Sequence, residues 1–348
     1  MASYVTTRGG RTRIPRLVYG TAWKRERTAD LVFQAIQAGF RAIDTAAQPR
    51  HYREDLVAEG VRRALASGVV ASRSDLYIQT KFTAPGGQDL AGPNAPPYDP
   101  AAPIADQVRA SVESSLRNFT FPLPDPQLDA SGSNNPKETS YLDCLVLHSP
   151  MDTREDTLAV WTVLQTYVPH RIRSLGISNA GLEELEEVLS VAEDVAAAAG
   201  VSADTLRPVV VQNRLHNYRH SADPYDVGLR RFCGHPDRRI VYQSFWTLTA
   251  NPTLHNGQVD SGVQAVAAAA GVAPEVAFYS LVALGLGRGS SDDTACPIVI
   301  LDGTTSATHM AADLAGLEQV AAWSQSPEGK APWEAAVARL RETIERGR

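Results

Sequence analysis

The stretch RAIDTAAQPRHYRED, residues 41–55, decides how the rest of the chain is interpreted. Its apolar run ends at Asp44, and Tyr52 follows in the next few residues. Two later apolar runs end in the same way, DLYIQTKF on Lys81 and DCLVLHSP on His148. The carboxyl ends of the strands of a parallel barrel converge on one face, so these polar side chains are predicted to meet there.

Short apolar runs alternate with amphipathic stretches along the whole chain. Near-continuous hydrophobic runs are typical of strands buried on both faces, and strict alternation with helices predicts a parallel sheet. Eight such units in about 310 residues favour a closed (β/α)8 TIM barrel over a doubly wound sheet of five or six strands. The predicted strands are 15–20, 41–46, 75–82, 143–150, 172–179, 207–214, 239–246 and 297–304.

The predicted barrel is a single domain over residues 1–348 with additions at four places. These are an N-terminal β-hairpin at 3–14, loop insertions at 83–103 and 121–140, and an extra C-terminal helix at 331–347. The first insertion directly follows Lys81 and is a candidate substrate-binding loop. The second follows a helix, so it is predicted to lie on the opposite face as a solvated loop without function.

Composition excludes several classes of protein. A net charge of -6 argues against a nucleic-acid footprint. No apolar stretch approaches about 20 residues, so no membrane-spanning helix is predicted. Three cysteines without a CxxC pair suggest neither a zinc site nor a disulfide framework. We therefore expect no metal, and we expect reduced thiols in a cytoplasmic protein.

The four polar residues at the strand ends make a chemically sensible set. A phenol has a pKa near 10, which makes Tyr52 a poor acid at neutral pH. An ammonium such as that of Lys81 stabilises the phenolate, and the carboxylate of Asp44 can hold the ammonium in place. A nearby His148 can pass on a proton or hydrogen-bond a substrate oxygen. The set suits a reaction in which negative charge develops on a carbonyl oxygen.

Six motifs in order carry a family resemblance: IDTA, IQTK, LVLHSP, SLGISN, VVVQNR and GTTSATHMAADL. They resemble the signatures of the aldo-keto reductases. The resemblance implies a barrel that binds a nicotinamide dinucleotide in extended form without a GxGxxG motif, and no GxGxxG follows a strand here. It also implies NAD(P)H-dependent reduction of an aldehyde or ketone by a cytoplasmic monomer. The variant DTAAQPRHYRED, preceded by GTAWK, resembles a fungal branch of that family.

By this resemblance Tyr52 is the general acid, Lys81 and Asp44 tune its acidity, and His148 orients the carbonyl. The spacing departs from the family habit. The family tyrosine usually stands five residues after the aspartate, whereas Tyr52 stands eight residues after Asp44 in a lengthened loop. Tyr52 still precedes a helix, as the family tyrosine does, and His51 is a competing proton donor.

The resemblance also implies the residues that hold the cofactor. Ser178, Asn179 and Gln212 correspond to partners of the nicotinamide carboxamide, although Ser178 and Asn179 would equally suit a helix cap. Phe245 takes the position that stacks on the nicotinamide, and aromatic core packing is the alternative for it.

The phosphate and adenosine end is predicted at the start of a late helix, where backbone N–H groups suit phosphate. The family places an arginine where this chain has His309, and Asp313 falls where the family contacts adenine. NADP(H) is the first choice and NAD(H) remains possible, because Asp302 lies nearby and a fixed cation does not. The predicted phosphate-binding residues are Gly303, Thr304, Thr305 and Ser306.

The substrate is predicted to be a small carbonyl compound, and a bulky or aromatic one suits the candidate lining. That lining comprises Trp23, His51, Phe82, Trp246 and Tyr218. Two rival functions use the same barrel. One is a non-redox acid/base enzyme, such as a dehydratase, isomerase or cyclase. The other is a nucleotide-sensing regulatory subunit, although a pure binding protein has no need of all four tetrad residues.

Overall fold

A computed structural model describes residues 4–8, 12–122, 138–217, 222–287 and 295–345. The strands are β1 Tyr4–Thr6, β2 Arg13–Pro15, β3 Leu17–Gly20, β4 Ala42–Asp44, β5 Tyr77–Phe82, β6 Thr120–Pro122, β7 Glu138–Ser140, β8 Cys144–Leu147, β9 Leu175–Ser178, β10 Val210–Arg214, β11 Val241–Phe245 and β12 Ile298–Asp302. The helices are α1 Thr28–Ala38, α2 Glu54–Ala66, α3 Ile104–Asn118, α4 Arg154–Leu164, α5 Leu182–Ala199, α6 Ala203–Leu206, α7 Val227–Gly234, α8 Pro252–His255, α9 Val263–Ala270, α10 Pro274–Ser280, α11 Ala307–Trp323 and α12 Lys330–Glu345.

Eight strands form a closed barrel in the order β10–β11–β12–β3–β4–β5–β8–β9. Neighbouring strands pair in parallel, for example Asp44 of β4 with Gln79 of β5. Each of the eight predicted apolar runs contains one of these strands. The predicted TIM-barrel fold is confirmed, because strands that are buried on both faces need the covering helices that alternate with them.

Most of the predicted additions are present. β1 pairs antiparallel with β2 as a hairpin, whose Gly-Gly turn lies outside the described residues. The C-terminal helix is α12, described as far as Glu345. The prediction of a loop throughout 121–140 was wrong at its ends, because β6 and β7 pair there as a two-stranded antiparallel ribbon. Residues 123–137 lie outside the described part of the chain.

Helix ends follow the sequence signals. α1 ends before Gly39, whose φ of 117° is accessible mainly to glycine. The Ala-rich segment is divided at Gly271 into α9 and α10. Among the described residues no single helix is long and apolar enough to cross a membrane, whereas the bent pair Val263–Ala270 and Pro274–Leu286 passes on length and composition only.

The chain forms two compact units, each with its own core. The first comprises residues 1–18, 179–183 and 209–348, and the second comprises 19–178 and 184–208. Phe278 and Met310 are fully buried in the first unit. Trp161 is fully buried in the second, and its indole N–H donates to the Leu206 carbonyl at 3.0 Å.

Candidate active site

Asp44 and Lys81 form a buried ion pair at the ends of β4 and β5. Lys81 Nζ lies 2.7 Å from each carboxylate oxygen of Asp44 and donates to the Thr45 carbonyl at 2.8 Å. Gln79 Nε2 also donates to Asp44, at 2.6 Å. Lys81 is 1% exposed and Asp44 is 2% exposed. Such a pair needs these additional hydrogen bonds, because desolvating two charges costs several kcal/mol per ion.

A compact turn brings Tyr52 back beside this pair despite its distance from Asp44 in sequence. The His51 and Tyr52 amides both donate to the Gln48 carbonyl at 3.0 Å, so the extra residues are absorbed in one turn. The turn is followed at once by α2. The buried carboxylate of Glu54 anchors the first turn of α2 by accepting hydrogen bonds from the hydroxyls of Thr80 and Ser115.

The Tyr52 ring lies over the ammonium of Lys81, with Nζ 5.1 Å from the ring centroid. Burial raises the pKa of Tyr52, and the charge of Asp44 raises it further. Burial also lowers the pKa of Lys81, against the effect of Asp44. Tyr52 therefore carries its proton at neutral pH, as a proton donor must.

His148 directly follows β8, and its ring meets that of Tyr52 edge to face at 6.0 Å. Its Nδ1 lies 2.6 Å from the Thr83 hydroxyl. Burial, then the charges of Lys81 and His51, lowers the pKa of His148 to about 3. The imidazole is therefore neutral at physiological pH.

The loop after β5 is fastened beside His148. The Tyr98 hydroxyl donates to the Thr83 carbonyl at 2.6 Å, and Gln88 Nε2 donates to the same carbonyl at 3.2 Å. Gln88 also donates to the Ala47 carbonyl at 2.9 Å. The segment predicted as a substrate-binding loop is therefore tied to the turn that carries Tyr52.

The neutral state of His148 gives the protein a pH-dependent stability. An unfolded histidine takes up a proton below a pKa of 6.5, whereas folded His148 does so only near 3. Protons therefore favour the unfolded chain between these values. As the pH falls below the pKa of the unfolded residue, we expect the free energy of unfolding to decrease by up to about 1.4 kcal/mol for each pH unit. Urea titrations at several pH values measure the slope, and a His148→Gln variant should have a shallower one.

Thr83 is expected to fix the hydrogen-bonding state of His148. In Thr83→Val the hydroxyl is lost while the backbone carbonyl that accepts from Tyr98 remains. A buried nitrogen without its partner costs about 1–3 kcal/mol, so we expect kcat to fall about tenfold. Thr83→Ser should restore most of it. Steady-state kinetics with a nucleotide-binding titration checks this; equal kcat for the valine and serine variants would contradict the role.

Three of the predicted substrate residues lie in the second unit. Trp23 is 57% exposed, and its ring lies on His51 with centroids 3.9 Å apart. Phe82 is 1% exposed and packs against Tyr98 at 5.9 Å, so it supports the loop from beneath. Trp23 adopts a φ of 62°, a conformation that is uncommon for a non-glycine residue.

In the first unit Trp246 stands directly after β11 and is 49% exposed. The Arg214 guanidinium carbon lies 4.0 Å from its ring centroid and 5.6 Å from that of Phe245. The rings of Phe245 and Trp246 are nearly perpendicular, at 85°. Arg214 was missed by the sequence reasoning, which named only the two aromatic residues at this strand end. Tyr218 lies outside the described residues.

The residues predicted at the nicotinamide carboxamide carry amide and hydroxyl side chains: Ser178 ends β9, Asn179 follows it, and Gln212 is the middle residue of β10. Gln212 is buried, and its Nε2 donates to Gln243 Oε1 at 2.9 Å. Asn179 is exposed with a φ of 55°, and its amide donates to the Gln212 carbonyl at 3.1 Å. Ser178 is buried at the end of β9. In the first unit, the side-chain amides of Asn179 and Gln212 offer donors and acceptors of the kinds that a carboxamide needs.

The predicted phosphate site is the beginning of α11. Ser306 caps the helix by accepting from the His309 amide at 3.4 Å, and Gly303, Thr305 and His309 are exposed. The Thr304 amide donates instead to Asp302 at 3.0 Å. The Ser306 amide donates to the Thr304 hydroxyl at 3.3 Å, and the exposed residues of this helix start suit a phosphate.

Two carboxyls stand beside this helix start. Asp302 is 1% exposed and Asp313 is 8% exposed. Burial and then the charge of Asp302 raise the pKa of Asp313 to about 8. The chain has no lysine or arginine between residues 302 and 313, so nothing in this segment itself offsets the acidic pair.

The sequence reasoning missed Gln48 and Thr83, both of which hold histidines at the site. Gln48 Oε1 lies 2.9 Å from His51 Nδ1, and Thr83 bonds His148. Their positions close to Asp44 and Lys81 were the available signal, but neither residue type indicates a site by itself.

Comparisons with known proteins find reductases among the sequence relatives. No protein-family model matches the chain. NADPH-dependent codeinone reductase 1-4 of Papaver somniferum is 24% identical over 273 residues, which cover 72% of this chain and 68% of that protein. NAD(P)H-dependent D-xylose reductase of Pachysolen tannophilus is 41% identical over 79 residues, 23% of each chain.

Solved structures show the same fold over nearly the full length. An aldo-keto reductase from Brucella melitensis superposes with a TM-score of 0.61 at 17% identity, covering 96% of this chain and 98% of that one. An aldo-keto reductase from a Medee basin deep-sea metagenome library gives a TM-score of 0.62 at 14% identity, covering 95% and 94%. The fold is therefore the barrel found in aldo-keto reductases.

Proposed function

We propose that this protein is an aldo-keto reductase that reduces an aldehyde or ketone to an alcohol with NAD(P)H. The observation that carries the proposal is the Tyr52 phenol set over Lys81, whose ammonium is held by the buried carboxylate of Asp44. Similarity to enzymes named as NADPH- and NAD(P)H-dependent reductases supports the reaction class.

The proton side of the reaction follows from the described contacts. Tyr52 is protonated in the resting protein, and among the described residues no group hydrogen-bonds its hydroxyl. The hydroxyl is therefore available to a substrate carbonyl oxygen. As negative charge develops on that oxygen, Tyr52 gives up its proton, and the Lys81 ammonium stabilises the phenolate that remains. Asp44 keeps Lys81 charged in a setting where burial alone would favour its neutral form.

His148 is proposed to orient the carbonyl. If the Thr83 hydroxyl donates to Nδ1, the neutral ring carries its proton on Nε2 and can donate it to the carbonyl oxygen. His148 is neutral at the pH of the reaction, so it adds a hydrogen bond there without adding a positive charge beside Lys81.

A bound nicotinamide dinucleotide supplies the hydride. We propose that Ser178, Asn179 and Gln212 hold its carboxamide, that Phe245 packs on its ring, and that Asp313 contacts its adenine. We propose the exposed start of α11 for its phosphates, with His309 beside it. NADP(H) is favoured by the cofactors named for the relatives. The buried Asp302 keeps NAD(H) a second candidate, because its negative charge opposes a further phosphate.

The finer features of the proposal rest on the resemblance. We infer a single catalytic domain over 1–348, a monomer in the cytoplasm, and a fungal branch whose loop between Asp44 and Tyr52 is lengthened. The net charge of -6 supports a small-molecule substrate and no nucleic-acid partner.

The test is to mix purified protein with NADPH and, separately, with NADH. Quenching of tryptophan fluorescence reports binding, and the absorbance of the reduced nucleotide reports turnover of a reactive aldehyde. We expect binding and turnover. Binding without turnover over a broad panel of carbonyls would favour the sensing subunit. No binding of either nucleotide would rule out the reductase and favour the non-redox acid/base enzyme.

A further inference from the structure

His51 lies in the turn before the proposed acid and makes two contacts with Trp23. The two rings lie against each other with centroids 3.9 Å apart and planes tilted by 38°, and the Trp23 amide donates to the backbone carbonyl of His51 at 2.8 Å. His51 is partly exposed, so one edge of the ring reaches solvent. A positive charge on His51 lowers the pKa of His148, so the two imidazoles are close enough to interact electrostatically.

A chain of hydrogen bonds fixes which nitrogen of His51 carries the proton. The side-chain nitrogen Nε2 of Gln48 donates to the Gly87 carbonyl at 2.5 Å, so the side-chain oxygen of Gln48 points the other way. That oxygen lies 2.9 Å from His51 Nδ1. An amide oxygen only accepts, so Nδ1 carries the hydrogen and, in the neutral ring, Nε2 is a bare acceptor.

The surroundings of His51 keep the ring neutral. Burial and the positive charge of Arg50 lower the pKa of His51, whereas Asp89 in the following loop raises it by a smaller amount. Among the described residues, Arg50 and Asp89 act electrostatically on the ring, and His51 acts in turn on His148. Over the described residues, nothing hydrogen-bonds Nε2 in the resting protein.

We propose that His51 Nε2 accepts a hydrogen bond from a hydroxyl group of the substrate, so that this enzyme selects hydroxylated carbonyl compounds. The role rests on the proposed reductase function and names the substrate chemistry of the same site. Trp23 supplies the flat wall beside the acceptor. A methoxy group, which has no hydrogen to donate, cannot replace the hydroxyl.

Isotope-labelled protein tests the polarity of His51 without turnover. Nitrogen–proton correlation spectra at neutral pH, assigned by the signal lost in His51→Phe, should show a proton on Nδ1 and none on Nε2. Adding a hydroxybenzaldehyde should shift the Nε2 signal, and the matched methoxybenzaldehyde should not. A proton on Nε2, or equal shifts with both compounds, would overturn the proposal even if the protein is not a reductase.

Kinetics tests the selectivity. Hydroxybenzaldehyde isomers are compared with their methoxy counterparts, and glyceraldehyde with propanal, to separate phenolic from aliphatic hydroxyls. We expect at least one hydroxyl compound to have a kcat/KM about five- to tenfold above its partner. That ratio should fall towards one in His51→Phe and stay unchanged in His170→Phe, an exposed histidine elsewhere.

A second variant, Gln48→Glu, reverses the polarity. A carboxylate beside Nδ1 favours the protonated ring, so Nε2 becomes a donor and the preference should move towards the methoxy partner. An unchanged ratio in both His51→Phe and Gln48→Glu would contradict the role of His51. Absence of turnover with every aldehyde would count against the reductase function, while the spectra would still decide the polarity of His51.

Discussion

Replacing Tyr52 by phenylalanine is expected to lower the turnover of carbonyl substrates by about 10²- to 10⁴-fold, the usual contribution of a positioned proton donor. The nucleotide affinity should be unchanged, because the residues proposed to hold the cofactor do not include Tyr52. The ring that lies over Lys81 is preserved, so the substitution removes only the hydroxyl. Steady-state kinetics and nucleotide-binding titrations on the same preparations separate these quantities.

A matched control is Tyr167→Phe, in the turn after α4, which should retain full turnover. If Tyr52→Phe retained activity, His51 would be the proton donor instead, because it is the competing candidate in the loop. The contacts of His51 argue against that transfer. In the neutral ring the single N–H is on Nδ1, where it donates a hydrogen bond to Gln48, so Nε2 carries no proton. The variant therefore discriminates between the two residues.

The sequence was sufficient to predict the barrel and the contact between Asp44 and Lys81. Apolar runs buried on both faces, each followed by an amphipathic helix, leave few alternatives to parallel strands. Because parallel strands share the direction of their carboxyl ends, Asp44, Lys81 and His148 were predicted to converge, and Asp44 and Lys81 are observed in contact. The helix end at Gly39 followed from glycine's access to positive φ.

Other features could not be predicted because they depend on packing. The antiparallel ribbon β6–β7 joins segments separated by an insertion whose polar composition indicates only a loop. The pKa of Tyr52 depends on how deeply the ring is buried, and burial and then the charge of Asp44 raise it in a way that residue types do not reveal. Thr83 and Gln48 act through single hydrogen bonds, for which sequence spacing gives no signal.

Replacing Lys81 by methionine is expected to lower the free energy of unfolding by about 3–5 kcal/mol at neutral pH, because it leaves the Asp44 carboxylate buried without its counter-charge. Turnover should be lost as well. The double variant Asp44→Asn/Lys81→Met removes both charges and should regain much of the stability, but none of the activity. Urea unfolding of the parent, both single variants and the double variant gives the coupling energy.

An exposed ion pair provides the control for this cycle. Arg63 and Asp30 lie 2.6 Å apart, with 40% and 65% of their side chains exposed. Arg63→Met should therefore change the stability by no more than about 1 kcal/mol. A similarly small effect of Lys81→Met would mean that Asp44 takes up a proton or finds water, and that the pair is not held as described.

The comparison between stability and turnover explains why the pair is kept. Well-packed apolar side chains of similar volume often stabilise a protein as well as a buried ion pair does. A double variant that is stable but inactive would show that Asp44 and Lys81 are not required for folding. Their shared function is then to keep one positive charge beneath the Tyr52 ring, where burial alone would favour a neutral amine. That charge is what a phenol of raised pKa needs in order to release its proton to a carbonyl oxygen.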